Sequence, residues 1–373
     1  MIIGISKPNF DTIMRNDKLN LPKNWDGNDF HDSLSSLYEE YHLSLSAWIR
    51  PTEVKNIMSI SQGILNAVES YHNGFPNKAF HHIDSVLTRL IENPLNIYRK
   101  SGWTNPFRKR DPLMLFRIRK VDKKDYYSRK DIFHTPYNFR SKISTCRYSI
   151  AGYPCLYLGT SLDLCCKEIK ADSLDSITIA SRYRIIRNMQ RNGERAIDVI
   201  ELGIKPTDFL TFNHHYPSDW NNGDIINRRR ILNEVNLNSH EILSAYLLWY
   251  PLIAACSFIR KNKNDPFASE YIIPQLLMQW VRTQSLDGNL MGIRYFSCAS
   301  EEASELGFNY VFPVSGEKDL LYNQYCRILS ESFTLTNPVY FHEFASIREC
   351  ERYLMGPLDF SKISVHKPLK GRL

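Results

Sequence analysis

The stretch Arg147-Tyr148-Ser149-Ile150-Ala151-Gly152-Tyr153-Pro154-Cys155-Leu156-Tyr157-Leu158-Gly159, running into Ser161-Leu162-Asp163-Leu164-Cys165-Cys166-Lys167-Glu168, places a strand directly before a helix. Cys155–Leu158 is a short apolar run of strand character. Ser161 then stands at an N-cap position, and across 162–171 Leu162, Cys165 and Ile169 recur at the spacing of one helix face. Glu168 lies three residues beyond Cys165, so it falls at the margin of that buried face.

The same mixture extends outward. Leu113–Arg119 (LMLFRIR) reads as a strand, and Ile177–Ile186 and Ala196–Leu202 alternate apolar and polar residues as strands do. A long apolar helix follows, then a second helix over Pro274–Thr283 with Pro274 at the favoured first position. Asp287-Gly288 turns the chain into a strand at Ile293–Phe296, which ends at Ser297. Short strands with irregularly placed helices indicate an α+β fold rather than a regular βαβ array.

Upstream the pattern is helical. Ile57, Ile60, Ile64, Val68 and Tyr71 define one helix face; Gly74-Phe75-Pro76 breaks it, and Asn77 is placed to cap a second helix carrying Phe80, Ile83, Leu87 and Leu90. Asn93-Pro94 stops that helix, giving a helical hairpin. His72, His81 and His82 have no carboxylate or cysteine at ligand spacing and read as surface or capping residues. Ser101–Asp111 (SGWTNPFRKRD) reads as a linker, so the expected division is a helical domain over 1–105 and a mixed domain over 106–373.

The chain has 373 residues, 43% hydrophobic and 23% charged, which suits a conventional core and excludes wholesale disorder. Its net charge of +7 is unevenly spread: residues 99–147 hold 15 basic and 4 acidic residues, a local +11 that leaves −4 elsewhere. The partner of that stretch should be anionic. The 8 cysteines include no Cys-x-x-Cys pair and read as reduced, buried thiols. The start of the chain has no basic segment followed by a long apolar run, so no signal peptide is expected. The 18 uncharged residues from Ile242 to Ile259 contain Ser244, Pro251 and Ser257 and read as a buried helix, so the expectation is a soluble, cytoplasmic protein without a membrane partner.

Standard catalytic signatures are missing: no G-x-G-x-x-G, no G-x-x-x-x-G-K-[ST], no H-E-x-x-H and no G-x-S-x-G occur. His214-His215, near Asp208 and Asp219, reads as a polar loop. What remains is an ordered set: Phe116-Arg117-Ile118-Arg119, the 147–168 block, Trp249-Tyr250-Pro251-Leu252-Ile253-Ala254-Ala255-Cys256-Ser257, and Glu270-Tyr271-Ile272-Ile273-Pro274-Gln275-Leu276-Leu277 continuing to Gly292-Ile293-Arg294-Tyr295-Phe296-Ser297. A helix-edge carboxylate supplied with arginine forks could brace ribose hydroxyls beside a pyrophosphate.

In order and wording these pieces resemble the RES domain, over roughly residues 113–300. The resemblance implies an ADP-ribosyltransferase-like mixed β core with helices, here preceded by the N-terminal helical domain and carrying insertions. It implies NAD as substrate, cleavage of the nicotinamide–ribose bond and no metal. It also implies the role of toxin in a bacterial toxin–antitoxin pair, with an Xre-like antitoxin as partner and, in some members, inorganic phosphate as acceptor. Residue by residue, Arg117, Glu168 and Ser297 match the family's arginine, glutamate and serine; Arg147 and Tyr157 match the second arginine and the tyrosine, with Arg119 a rival to Arg117. The 129-residue separation of Glu168 from Ser297 indicates insertions, expected within 203–240. Two other readings compete. Trp103, Phe107, Tyr126 and Tyr127 interleave with the basic residues and could suit nucleic acid, and an inactive RES-like interaction module would use the helical hairpin.

Overall fold

The computed structural model describes residues 3–25, 27–92, 114–121, 126–169, 178–185, 197–210, 232, 237–262, 264–284, 290–314 and 324–363. The linker at 101–111, the paired histidines 214 and 215 and the turn at 287–288 lie outside them. In chain order the elements are α1 (Lys7–Met14), α2 (Phe30–Ser46), α3 (Pro51–His72), α4 (Pro76–Ile91), β1 (Met114–Lys120), α5 (Arg129–Ile132), β2 (Cys155–Gly159), α6 (Leu162–Ile169), β3 (Thr178–Ile185) and β4 (Ile197–Leu202). There follow α7 (Pro206–Leu210), α8 (His240–Ala255), α9 (Ile272–Gln284), β5 (Leu290–Tyr295), β6 (Asn309–Pro313), α10 (Arg327–Ser332), β7 (Phe333–Leu335), β8 (Val339–Tyr340) and α11 (Ile347–Met355). The fold is α+β with a helical N-terminal region.

The chain compacts into two units. One comprises Met1–Ile97, Glu201–Trp280 and Phe296–Glu305; the other comprises Tyr98–Ile200, Val281–Tyr295 and Leu306–Leu373. The first unit therefore takes in α8 and most of α9 along with the N-terminal helices, and the 105–106 boundary expected from the sequence lies among the undescribed residues.

In the first unit α3 and α4 form the hairpin, with Ile57, Ile60, Ile64, Val68, Ile83, Leu87 and Leu90 buried. Tyr71 and Phe80 are half-buried, and Ala79 and Val86 complete the inner face. Asn77 does not cap α4: Phe75 holds the cap position, because Pro76 has the fixed φ favoured at the first helical turn. The uncharged run folds as α8, buried from Leu243 to Ala255, as expected of a helix that is apolar all round. Pro251 sits inside it and has no N–H to offer the carbonyl of Leu247 one turn back. The Tyr41 hydroxyl donates to that carbonyl at 2.8 Å, and the Tyr38 hydroxyl donates to the Pro251 carbonyl at 2.8 Å. An orphaned buried carbonyl would cost about 1–3 kcal/mol, so the Tyr41 bond offsets the one that the proline removes. No helix among the described residues is long and apolar enough to cross a membrane.

In the second unit the strands form one sheet in the order β4-β5-β6-β2-β1-β3-β7, with β8 also paired to β3. β1 runs antiparallel to β2 and β3, and β6 runs antiparallel to β2 and β5. Phe116 and Ile118 of β1, Ala180 of β3, Leu162, Cys165 and Cys166 of α6, and Cys350 and Leu354 of α11 share one core cluster. Thus α6 and α11 cover one face of the sheet. α5 lies on the other face, where the Tyr183 hydroxyl donates to the Ile132 carbonyl at 2.8 Å. All eight cysteines are unbonded and all but Cys146 are buried. Pro274 is the third residue of α9 rather than its first, because the short 3-10 turn Ser269–Tyr271 leads into the helix at Ile272.

Candidate active site

Position follows from register. Directly opposed residues of antiparallel strands share a face. Gly159 of β2 pairs with Asn309 of β6, and Asn309 pairs with Tyr295 of β5. The next row is Tyr157, Val311 and Ile293. Phe116 opposes Gly159 and packs on α6, which fixes this as the α6 face.

Gly159 sets how closely the helix approaches. A Cβ there would lie 2.7 Å from the Cys165 Sγ, so no side chain can be added without moving α6. Ser161 caps the helix as the sequence indicates, its Oγ accepting from the Leu164 N–H at 3.2 Å, and the Glu351 carboxylate accepts from the Leu162 N–H at 2.9 Å. Thr160 exchanges two hydrogen bonds with Phe308, as donor from N–H at 3.0 Å and acceptor at Oγ1 at 2.9 Å, which holds the start of β6 beside the helix entry.

Glu168 emerges exposed at the margin of α6, where the spacing placed it. Asn309, 5% exposed, donates from Nδ2 to Glu168 Oε1 at 2.5 Å. The carboxylate is thus exposed to solvent yet held by a buried amide. Tyr157 is half-buried, with its hydroxyl 2.8 Å from the Ser149 Oγ. Burial pushes the Tyr157 phenol well above its ordinary pKa, aided by Cys155, Cys146 and Tyr295, with Ser149 opposing; it stays protonated at neutral pH. Tyr148 packs on Tyr295 with ring centroids 4.7 Å apart. Arg147, 8% exposed, opens this Tyr148–Ser149 segment.

The structure divides the two remaining arginines from this group. By alternation Arg117 and Arg119 leave β1 on the face opposite Phe116 and Ile118. Arg117 Nη1 donates to the main-chain carbonyl of Tyr157 at 3.1 Å, and its Nε is buried with no acceptor among the described residues. Burial lowers the Arg117 pKa; Tyr183 opposes that shift and Arg119 adds to it. Arg119 Nη1 donates to the Asp131 carbonyl at 2.8 Å, on the α5 side. Ser297 follows β5 by two residues, is fully buried, and accepts at Oγ from the Ala299 N–H at 3.1 Å; its segment, 296–305, belongs to the first unit.

Tyr157 and Glu168 therefore share one sheet face with Asn309, Ser149 and Tyr295, three residues that sequence reasoning did not select. Ser149 sits inside the quoted block and could have been noticed. Asn309 carried no local signal, since its place depends on β6 pairing with β2. Chemically, the face offers a polarised carboxylate, an amide that orients it and a phenol in a hydroxyl pair, a set suited to holding polyhydroxylated, cationic character.

Comparison with known proteins finds no matching family model and no matching solved structure. The chain is 28% identical over 373 residues to a Bacillus subtilis (strain 168) protein named "Putative toxin YopC", an alignment covering 96% of this chain and 78% of that one.

Proposed function

We propose that this chain is a bacterial toxin that breaks the nicotinamide–ribose bond of NAD and is restrained by an antitoxin protein. The observation that carries the reading is Glu168, exposed at the rim of α6 and oriented by buried Asn309 on the face that bears Tyr157. The likeness to a chain named as a toxin supports the cellular role, and the RES-like order of Arg147, Tyr157 and Glu168 supports the substrate.

In this mechanism Glu168 accepts hydrogen bonds from the ribose hydroxyls. As the C1′–N bond breaks, its electron pair leaves with nicotinamide and cancels the ring's positive charge. The ribose becomes oxocarbenium-like, and the Glu168 carboxylate opposes that charge most strongly where water is excluded. Asn309 fixes the carboxylate so that little reorganisation is needed. Tyr157 packs beside the nicotinamide ribose as a neutral phenol. Arg147 supplies a fork for the pyrophosphate, while Arg117, bound to the Tyr157 carbonyl, holds that strand in place. Water, phosphate or a protein side chain then supplies the oxygen or nitrogen that bonds to C1′ and gives up its proton.

Incubation of the purified chain with NAD, with and without phosphate, followed by chromatography of the products, tests this. NAD loss that falls by about 100-fold or more in Glu168→Gln is expected; no loss in either buffer, or the same loss in the variant, overturns the reaction. A product formed only with phosphate identifies phosphorolysis.

A further inference from the structure

The basic excess of residues 99–147 has a second outlet, on the sheet face away from Glu168. A cleft of about 470 Å³ in the second unit is lined by Arg119, Lys120, Lys130 and Lys142 and by three aromatic residues, Tyr127, Phe139 and Tyr325. Among the described residues Asp131 is the one acid in its lining, and its Oδ2 accepts from both the N–H and the Oγ of Ser128 at 2.8 Å, at the start of α5. The wall therefore carries four cations against one carboxylate already bound to its own helix start. Arg119 is positioned by its bond to the Asp131 carbonyl, and Lys142 Nζ lies 5.1 Å from the centre of the Phe139 ring. Phe139 is 44% exposed, so an aromatic ring and several ammonium groups face solvent together.

Each part of that lining has a ligand counterpart. Clustered cations beside a guanidinium suit phosphate oxygens. A solvent-facing aromatic ring offers a stacking surface for a base, and every base has a π-face to present. The volume is within the range of small-molecule sites and gives room for one nucleotide, not for a continuous strand. From this combination we infer that the cleft is a binding site for a phosphorylated mononucleotide, separate from the Glu168 face. The cations hold the phosphates, and Phe139 and its aromatic neighbours hold the base.

Equilibrium titration of the full chain with ADP and, separately, with inorganic phosphate tests the site without using NAD turnover, so the result stands apart from the proposed reaction. Lys130, Lys142 and Phe139 are exposed, so their replacement leaves the core intact, which a thermal melt verifies. ADP is expected to bind, to weaken as salt is raised, and to lose about tenfold or more in affinity in Lys130→Ala/Lys142→Ala. Phe139→Ala should weaken ADP severalfold and leave inorganic phosphate unchanged. The assignment fails if ADP does not bind at low salt, or if the lysine double variant binds it as tightly as the unaltered chain. It fails equally if inorganic phosphate binds as tightly as ADP, which would leave the base unrecognised. Single-stranded RNA binding far more tightly than ADP, with the same loss in the lysine variant, would make the cleft part of a polynucleotide track and overturn the mononucleotide.

Discussion

Glu168 is exposed and Asn309 is buried, and that asymmetry separates their roles. A carboxylate on a rim can meet a substrate; an amide behind it can only aim the carboxylate. Asn309→Leu keeps the volume and removes the donor, so the expected outcome is about a tenfold fall in kcat for NAD loss with KM little changed. Steady-state kinetics would check it, and an unaltered kcat would remove Asn309 from the proposed machinery. The sequence was informative here only where the site is local: Arg147, Tyr157 and Glu168 lie in one strand–helix block, and 11 residues separate Tyr157 from Glu168. Asn309 is 141 residues from its partner, and an asparagine opening a short strand has no special appearance until β6 is laid beside β2. Arg117 shows the converse. Its motif is plain in the sequence, but strand alternation turns it from the α6 face and its Nη1 goes to a backbone carbonyl.

At the level of elements, β2 and α6 approach closely at Gly159. In Gly159→Ala the added methyl would lie against the Cys165 sulfur, held between strand and helix backbones, so a loss of about 1–3 kcal/mol is expected. Urea denaturation would measure it. Adding Cys165→Ala should restore part of the loss, since the two positions share one space; Gly4→Ala, which meets nothing within 4 Å, should change stability far less. The helices and strands were visible as periodic runs because apolar spacing reports which face is buried. Ends were less visible. Asn77 and Pro274 were both read as start signals, and each helix begins elsewhere, since a preceding proline or a 3-10 turn can set the first turn just as well.

Across the whole molecule, buried His134 couples stability to pH. Its Nε2 accepts from the Cys326 N–H at 2.8 Å, and Nδ1 lies 2.9 Å from the Thr135 carbonyl, an arrangement that requires the neutral ring. Burial, with Arg117 adding to it and the Thr135 bond opposing, lowers the pKa from 6.5 to about 4. The folded value lies below the unfolded one, so this contribution is complete above about pH 6.5 and is lost as pH falls toward 4, at about 1.4 kcal/mol per unit at most. Denaturant midpoints across that window should fall more steeply for the unaltered chain than for His134→Gln; equal slopes would assign the loss to other groups. The grouping of 201–280 and 296–305 with the N-terminal helices could not be read from the sequence, because such contacts link segments more than a hundred residues apart and leave no local trace. That same grouping has a consequence for synthesis on the ribosome, where helices α1–α4 emerge before the rest of their unit. Their neighbour α8, whose carbonyls await Tyr38 and Tyr41, begins 149 residues after α4 ends, at 240 against 91. For that interval the sides of α2 and α3 that meet α8 have no native cover, so the nascent chain depends on slow, non-local closure and is open to chaperones or to misassembly until the last piece of the unit, ending at Glu305, has emerged.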